Sequence, residues 1–316
     1  MKRQESHEQF KLRLLCRNRQ GLDKLKEMGA EIKEVNYENE NEIREVFHNV
    51  KLCMIIPEFS HKRVQEGENV IKACKQQNVE YVGMFSLIGV DRCQEQGTGE
   101  WKHMKQYRQL EQKIEEQFKE KHWIVRHPVY TQIFYYLAPM VEGQNVLPLP
   151  VKKNAKWGCI DLHDVVGAMV QLSKRHDKSS IFSGERKLWQ FTPKQNFSSE
   201  ELCRQMAQGL GRDEMQYRET KPNETKEYLT KMREDKRFKE RPQQHELAGE
   251  SDKPYTFPLG KYLNEVCIET IIEWWQLANE NKVDITTNDL QEALQRQPTE
   301  VLEFFKNNRD NFRRLR

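Results

Sequence analysis

Over the first 130 residues, short apolar runs alternate with longer stretches of helical spacing. Leu12, Leu14, Leu15 and Cys16 in KLRLLCR predict a strand, and QGLDKLKEMG predicts an amphipathic helix ended by Gly29. Then come a strand in AEIKEVN, a helix across NENEIREVFHN, and VKLCMIIP, whose unbroken apolar centre predicts burial on both faces. HKRVQEGENVIKACKQQN spaces Val64, Val70, Ile71 and Cys74 as on one helix face; EYVGMFSLIG is again a buried strand. WKHMKQYRQLEQKIEEQF predicts a long helix, and HWIVRHPVY a further strand. Such alternation argues for a parallel sheet with right-handed crossovers and helices on both faces.

From residue 140 the rhythm changes. NVLPLPVKKNAKWGCIDLHDVVGAMVQLSK reads as loop, strand, and a helix opening at Asp161 to Asp164. SIFSGERKLWQFTP suggests more strand; SSEELCRQMAQGLGR is a helix capped at Ser198–Ser199, with Glu201 in its first turn. Residues 233–260 are charged, carry Pro and Gly and have no period, so an exposed, mobile insertion is expected. Near the end, Thr287 or Asn288 caps one helix, and Pro298–Thr299 opens another with Val301, Leu302, Phe304 and Phe305 as its apolar face. NNRDNFRRLR is expected to be a solvated basic tail.

Composition narrows the classes. The chain has 316 residues, 36% hydrophobic and 32% charged, and 52 basic against 49 acidic side chains. That balance gives no electrostatic case for a direct nucleic-acid partner. No apolar run approaches the roughly 20 residues that cross a bilayer, and the polar N-terminus has no secretory h-region, so no membrane association is expected. Seven scattered cysteines, without CxxC or Cys/His pairing, read as reduced thiols of an intracellular protein, with no metal site.

The order LLCRN, GAEIKEVNYENENEIREVFHNV, CMIIP, YVGMFSLIG, VRHPVY and CIDLHDV, closing with TTNDLQEALQRQPTEVLEFFKNN, resembles the NmrA-like family of atypical short-chain dehydrogenase/reductase folds. The resemblance runs from about residue 11 to the end; IDLHDVVGAM and the closing segment are its more specific parts. It implies an α/β fold with a doubly wound parallel sheet, Rossmann-like and missing its first βα unit, plus a smaller mixed α/β C-terminal lobe. The expected division is a truncated dinucleotide-binding domain over 11–140 and a substrate or partner lobe over 141–316, interleaved with the sheet. Relatives include redox-sensing transcriptional co-regulators, some acting on nitrogen metabolism, and quinone or isoflavone-type reductases.

A dinucleotide fold begins with a strand, a glycine-rich turn and a helix N-terminus that together cradle the pyrophosphate. Such a unit needs on the order of 20–30 residues, whereas ten residues without a glycine precede Lys11. The glycines of GVDRCQEQGTGEW follow the wrong strand to replace it. Either the chain is N-terminally incomplete, the reading preferred here because a lost central strand leaves two neighbours unpaired, or tight cofactor binding is gone.

The resemblance implies further contacts. Arg17 falls at the end of the second strand of the fold, where a guanidinium suits the 2′-phosphate of NADP and an acid would choose NAD; Arg19 is a second candidate, and both have a plain surface-arginine reading. Asn36 matches an aspartate near the adenine. Pro57 and Ser86 close the strands that pass the nicotinamide side, though ordinary turn chemistry explains both equally. His127, at a strand end facing the crevice, is a further ligand candidate.

Reductases of this kind place Tyr-x-x-x-Lys on one helix face, so that the ammonium lowers the tyrosine pKa. Here His103 falls at the tyrosine position and Tyr107 at the lysine position. Non-enzymatic relatives typically carry His-x-x-x-Lys, which His103 fits and Tyr107 does not; a half-buried polar helix face explains the pair equally well. No catalytic residue is assigned. Pairing Tyr107 with Glu111 would raise the tyrosine pKa rather than lower it. Asp161 and Asp164 are expected to cap a helix rather than form an acid–base site with His163, and Tyr130, Phe134, Tyr135 and Tyr136 to pack the core rather than line a cleft. The resulting expectation is a non-catalytic regulator, cytoplasmic or nuclear, with NADP (or NAD) binding weak or lost and a protein partner such as a transcription factor. The alternative is an NADP-dependent oxidoreductase with a longer N-terminus.

Overall fold

The computed structural model describes residues 11–94, 100–175, 180–181, 185–235 and 263–315. Two short strands come first: β1 (Arg13–Cys16) and β2 (Glu31–Glu34) pair in parallel, Arg13 opposite Glu31. The helix joining them, α1 (Asp23–Glu27), is a single turn with no buried residue, and Gly29 ends it at φ +94°. α2 (Glu40–Val46) opens on Asn39, whose Oδ1 accepts the Glu42 N–H at 3.3 Å, and it buries Ile43.

A second sheet follows. It contains β3 (Leu52–Ile55), β4 (Tyr81–Leu87), β5 (His122–His127) and, from much later in the chain, β8 (Leu188–Gln190). All pair in parallel in the order β3-β4-β5-β8. α3 (Arg63–Gln76) and α4 (Lys102–Phe118) are the crossovers. Their residues Val70, Ile71, Met104, Leu110 and Ile114 share one core with Val82, Met84 and Ile124. The opposite face carries Phe85, Trp123, Val125 and Trp189, covered by α6 (Leu162–Lys174) and α10 (Asp289–Leu294). Helices on both faces of a parallel sheet are what the alternation predicted. Gly83 makes one close approach possible: a Cβ there would lie 2.0 Å from the Trp123 ring.

The later elements are short. Between β5 and α6 lie α5 (Ala138–Gln144), β6 (Val146–Leu149) and β7 (Lys156–Trp157). β9 (Phe197–Ser198) pairs antiparallel with β7 and leads into α7 (Ser199–Leu210). There Ser198 and Glu201 form the capping box that the sequence announced. β10 (Gln216–Glu219) pairs in parallel with β6, and α8 (Pro222–Glu234) follows. Arg233 and Glu234 of the expected insertion are therefore helical; 236–260 lie outside the described residues.

α9 (Glu265–Asn279) is buried along most of its length, with Trp274 and Trp275 nearly inaccessible. α11 (Val301–Asn307) starts on Glu300, and α12 (Arg309–Arg314) ends the fold. The solvated-tail expectation is corrected here: Phe312 is fully buried, 4.8 Å from the Tyr135 ring and 5.3 Å from Phe305. The apolar contact outweighs the charges around it, a fully buried aromatic being worth about 3 kcal/mol. Phe134, Tyr135 and Tyr136 pack the core, as expected.

Candidate functional site

The carboxyl ends of parallel strands are where doubly wound folds place their ligands. Here those ends deliver Arg17 and Pro57 just after β1 and β3, Ser86 in β4, and His127 closing β5. The first turns of α4 add His103 and Tyr107.

Arg17 is already spent. Its Nε donates to Glu58 Oε2 at 2.6 Å, its second terminal nitrogen reaches Glu66 Oε2 at 2.8 Å, and the guanidinium lies 5.0 Å from the Tyr37 ring centre. A phosphate would have to displace two carboxylates to reach it. Arg19, mostly exposed, pairs loosely with Glu34 at 3.6 Å. Asn36 is exposed, and its Oδ1 accepts the Glu38 N–H at 3.0 Å, closing an Asx turn. Pro57 is half-buried beside these groups.

The dyad positions are also occupied. His103 is 2% exposed; its Nε2 meets Glu269 Oε2 at 3.1 Å, and Glu269 is in turn held by Lys226 at 2.7 Å. Lys226 chiefly, with His103, keeps the Glu269 carboxyl below its usual range. The start of α4 is capped from a distance, because Glu273 Oε2 accepts the backbone N–H groups of His103 and Met104 at 2.8 and 3.1 Å. Tyr107 is 5% exposed and lies face-on beneath Arg63, whose guanidinium carbon is 4.5 Å from the ring centre. Burial pushes the Tyr107 hydroxyl up in pKa, and Arg63 only partly opposes it.

Arg63 is the residue sequence reasoning missed. It is 1% exposed and donates to Glu58 O, Gln106 Oε1 and Thr270 Oγ1. A cation therefore does sit against the tyrosine, but on its face and from another helix. Glu111, weighed as the partner of Tyr107, instead binds Arg126 and Arg108. No local signal marks Arg63, because Thr270 is 207 residues away.

Beside them, His127 Nδ1 donates to Pro128 O at 2.7 Å and Nε2 accepts from the Tyr130 hydroxyl at 3.0 Å, with the two rings stacked at 4.5 Å. Burial lowers its pKa to about 4, so the ring is neutral at pH 7. Asp161 caps α6 as expected, accepting from the backbone N–H and ring of His163. Asp164 does not: it is 1% exposed and binds Arg296 and the Thr299 N–H.

Two polar atoms in this region are buried without a partner, Ser86 Oγ and His103 Nδ1. A ligand could satisfy them, yet their residues are 0% and 2% exposed. The guanidinium that would read a 2′-phosphate and the α4 backbone N–H groups are both engaged within the chain. As a set, these residues fit a nicotinamide dinucleotide poorly. No group of three or more metal-ligating side chains occurs among the described residues, and no helix of theirs is long and apolar enough to cross a membrane.

A family model described as NmrA-like matches residues 3–305. No curated protein matches the chain. Among solved structures, the triphenylmethane reductase of a Citrobacter species, complexed with NADP(H), is similar at 14% identity and TM-score 0.70, covering 94% of this chain and 90% of its own. The NADPH-dependent quinone oxidoreductase of Escherichia coli, complexed with NADPH, gives 13%, 0.69, 93% and 89%. NmrA, a negative transcriptional regulator, gives 15%, 0.56, 84% and 86%. At such identities these likenesses carry the fold alone, which agrees with the parallel sheet described above.

Proposed function

The chain belongs to the NmrA-like family, and from that premise we propose that it is a non-catalytic regulator acting through protein contacts, with dinucleotide binding weak or lost. The observation that carries this reading lies at the dyad positions. His103 is tied to Glu269, and Tyr107 packs face-on under Arg63 with no lysine four residues on. A proton relay needs a tyrosine whose hydroxyl is exposed to substrate and whose pKa is lowered; Tyr107 has neither property. The Arg17–Glu58–Glu66 cluster supports the same reading, since it neutralises the charge that would favour NADP over NAD. The partner class is a protein such as a transcription factor, in cytoplasm or nucleus, in a nitrogen or redox response. The similarity to the regulator NmrA supports that choice.

A second reading, an NADP-dependent reductase of quinones or related acceptors, is favoured by the unpartnered Ser86 Oγ and His103 Nδ1 and by the likeness to NADPH-binding reductases. Steady-state NADPH oxidation by the purified chain with a panel of quinones separates the two. No turnover above the uncatalysed rate is expected, and enzyme-dependent turnover overturns the regulator reading.

A further inference from the structure

The last turn of α3 ends close to where β3 began. Val79 N–H donates to Cys74 O at 2.9 Å, and two residues on, Tyr81 N–H donates to Lys51 O at 3.0 Å. Val82, next along β4, lies opposite Cys53. The register therefore sets Cys74 of α3 beside Cys53 of β3. Side chains alternate along β3, with Cys53 and Ile55 turned into the core and Met54 out of it. Cys53 and Cys74 share one core, 8% and 0% exposed, and their thiols are in hydrogen-bonding contact. Three other thiols turn to the backbone instead. Cys16 donates to Lys33 O at 3.6 Å, Cys93 to Gly89 O at 3.4 Å and Cys203 to Met215 O at 3.5 Å.

Between the two cysteines runs the stretch that builds much of the candidate site. Glu58 and Glu66 hold Arg17, Glu58 O accepts from Arg63 Nε at 2.8 Å, and Arg63 covers the face of Tyr107. Both cysteines are free thiols in this structure. A bond between them would close that stretch into a ring at its base, fastening the end of α3 to β3.

We propose that Cys53 and Cys74 are a redox latch, closed as a disulfide by a small peroxide and reopened by a low-molecular-weight thiol. Cys53 keeps some exposed surface and reacts first: its sulfur takes one oxygen from hydrogen peroxide, giving a sulfenic acid and one water. The Cys74 sulfur then attacks that sulfur. The S–O bond breaks as the S–S bond forms, and the hydroxyl leaves with the Cys74 proton as a second water. Two thiols thus lose two electrons, and one peroxide becomes two waters. Burial, and then the contact with Cys53, push the Cys74 thiol well above its ordinary pKa, so free oxidant does not select it and its role is to resolve. Reopening takes two molecules of a monothiol, which leave as their own disulfide. The latch belongs to the crossover and stands whether or not the chain binds a dinucleotide or a partner.

The test treats the full 316-residue chain with hydrogen peroxide under native conditions, blocks the remaining thiols, and maps tryptic fragments without reduction. The expected product joins Leu52–Lys62 to Ala73–Lys75 and separates again with excess glutathione. Closing a ring of this length lowers the unfolding constant on the order of a hundredfold, so the oxidised chain is expected to melt about 5 °C higher than the reduced one. Cys53→Ala and Cys74→Ala should each abolish the joined fragment and the rise, whereas Cys16→Ser should keep both. If Cys74→Ala, at a fully buried position, does not fold, Cys53→Ala carries the comparison alone. The proposal is overturned if the folded chain yields no joined fragment, or yields it only after urea has unfolded it. It is equally overturned if Cys53 pairs as often with Cys16 as with Cys74, or if the joined chain melts no higher than the reduced one.

Discussion

Glu111 is the side chain whose loss should be felt most. It is fully buried on α4 and accepts three hydrogen bonds, from Arg126 Nε at 2.9 Å, Arg126 Nη2 at 2.7 Å and Arg108 Nη1 at 2.8 Å. Arg126 on β5 is itself only 5% exposed, and its other partner, Asp91 at 2.9 Å, is 44% exposed. Glu111→Gln keeps the shape and one acceptor but removes the charge that faces a buried guanidinium. Breaking such a pair costs about 3–5 kcal/mol; with Asp91 and the amide oxygen still in place, the lower end, about 3 kcal/mol, is expected. Urea unfolding reports it directly, since all six tryptophans are buried and their fluorescence follows the core. Replacing both partners, Glu111→Leu with Arg126→Met, is expected to return stability to within about 1 kcal/mol of the wild type. A loss below about 1 kcal/mol for Glu111→Gln, the size seen for solvated surface pairs, would refute the reasoning.

Three further outcomes follow from the same geometry. His127 is neutral in the fold, with its pKa lowered to about 4 from an ordinary 6.5; the unfolded chain takes up a proton first as pH falls. Stability should be intact above pH 6.5 and decline by roughly 3 kcal/mol as pH drops to about 4; denaturation midpoints at pH 7 and pH 4.5 should differ less in His127→Gln. Gly83→Ala places a methyl 2.0 Å from the Trp123 ring, so β4 or β5 must shift, at a cost of about 1–3 kcal/mol in the same assay; an unchanged midpoint contradicts the packing described. Ser198→Ala removes half of the capping box on α7 and is expected to cost about 1 kcal/mol, with Ser198→Asp largely restoring it.

What was legible in the sequence was local. The strand in KLRLLCR, the buried runs around Met54 and Met84, the cap at Asp161 and the capping box at Ser198 all rest on residues within a few positions of each other. The contacts that decide the site are not local. Arg63 reaches Thr270, Glu273 caps α4 from 170 residues away, and Glu269 holds His103 across 166. No spacing rule encodes such pairs, because each partner is an ordinary charged residue on its own helix. The same limit explains the terminal segment, whose basic residues suggested solvent while Phe312 was closing against Tyr135. Arg17 was placed correctly at a strand end, but its two carboxylate partners, 41 and 49 positions on, reverse what a free guanidinium there would mean.

The account depends on internal partners having taken the groups a dinucleotide would need. Thermal melting of the 316-residue chain with 1 mM NADPH tests this most directly. A ligand held at about 10 μM would stabilise the fold by about 2.7 kcal/mol under those conditions. The account expects no such rise in the melting midpoint. A saturable rise of that size, with NADPH consumed when a quinone is added, would contradict it.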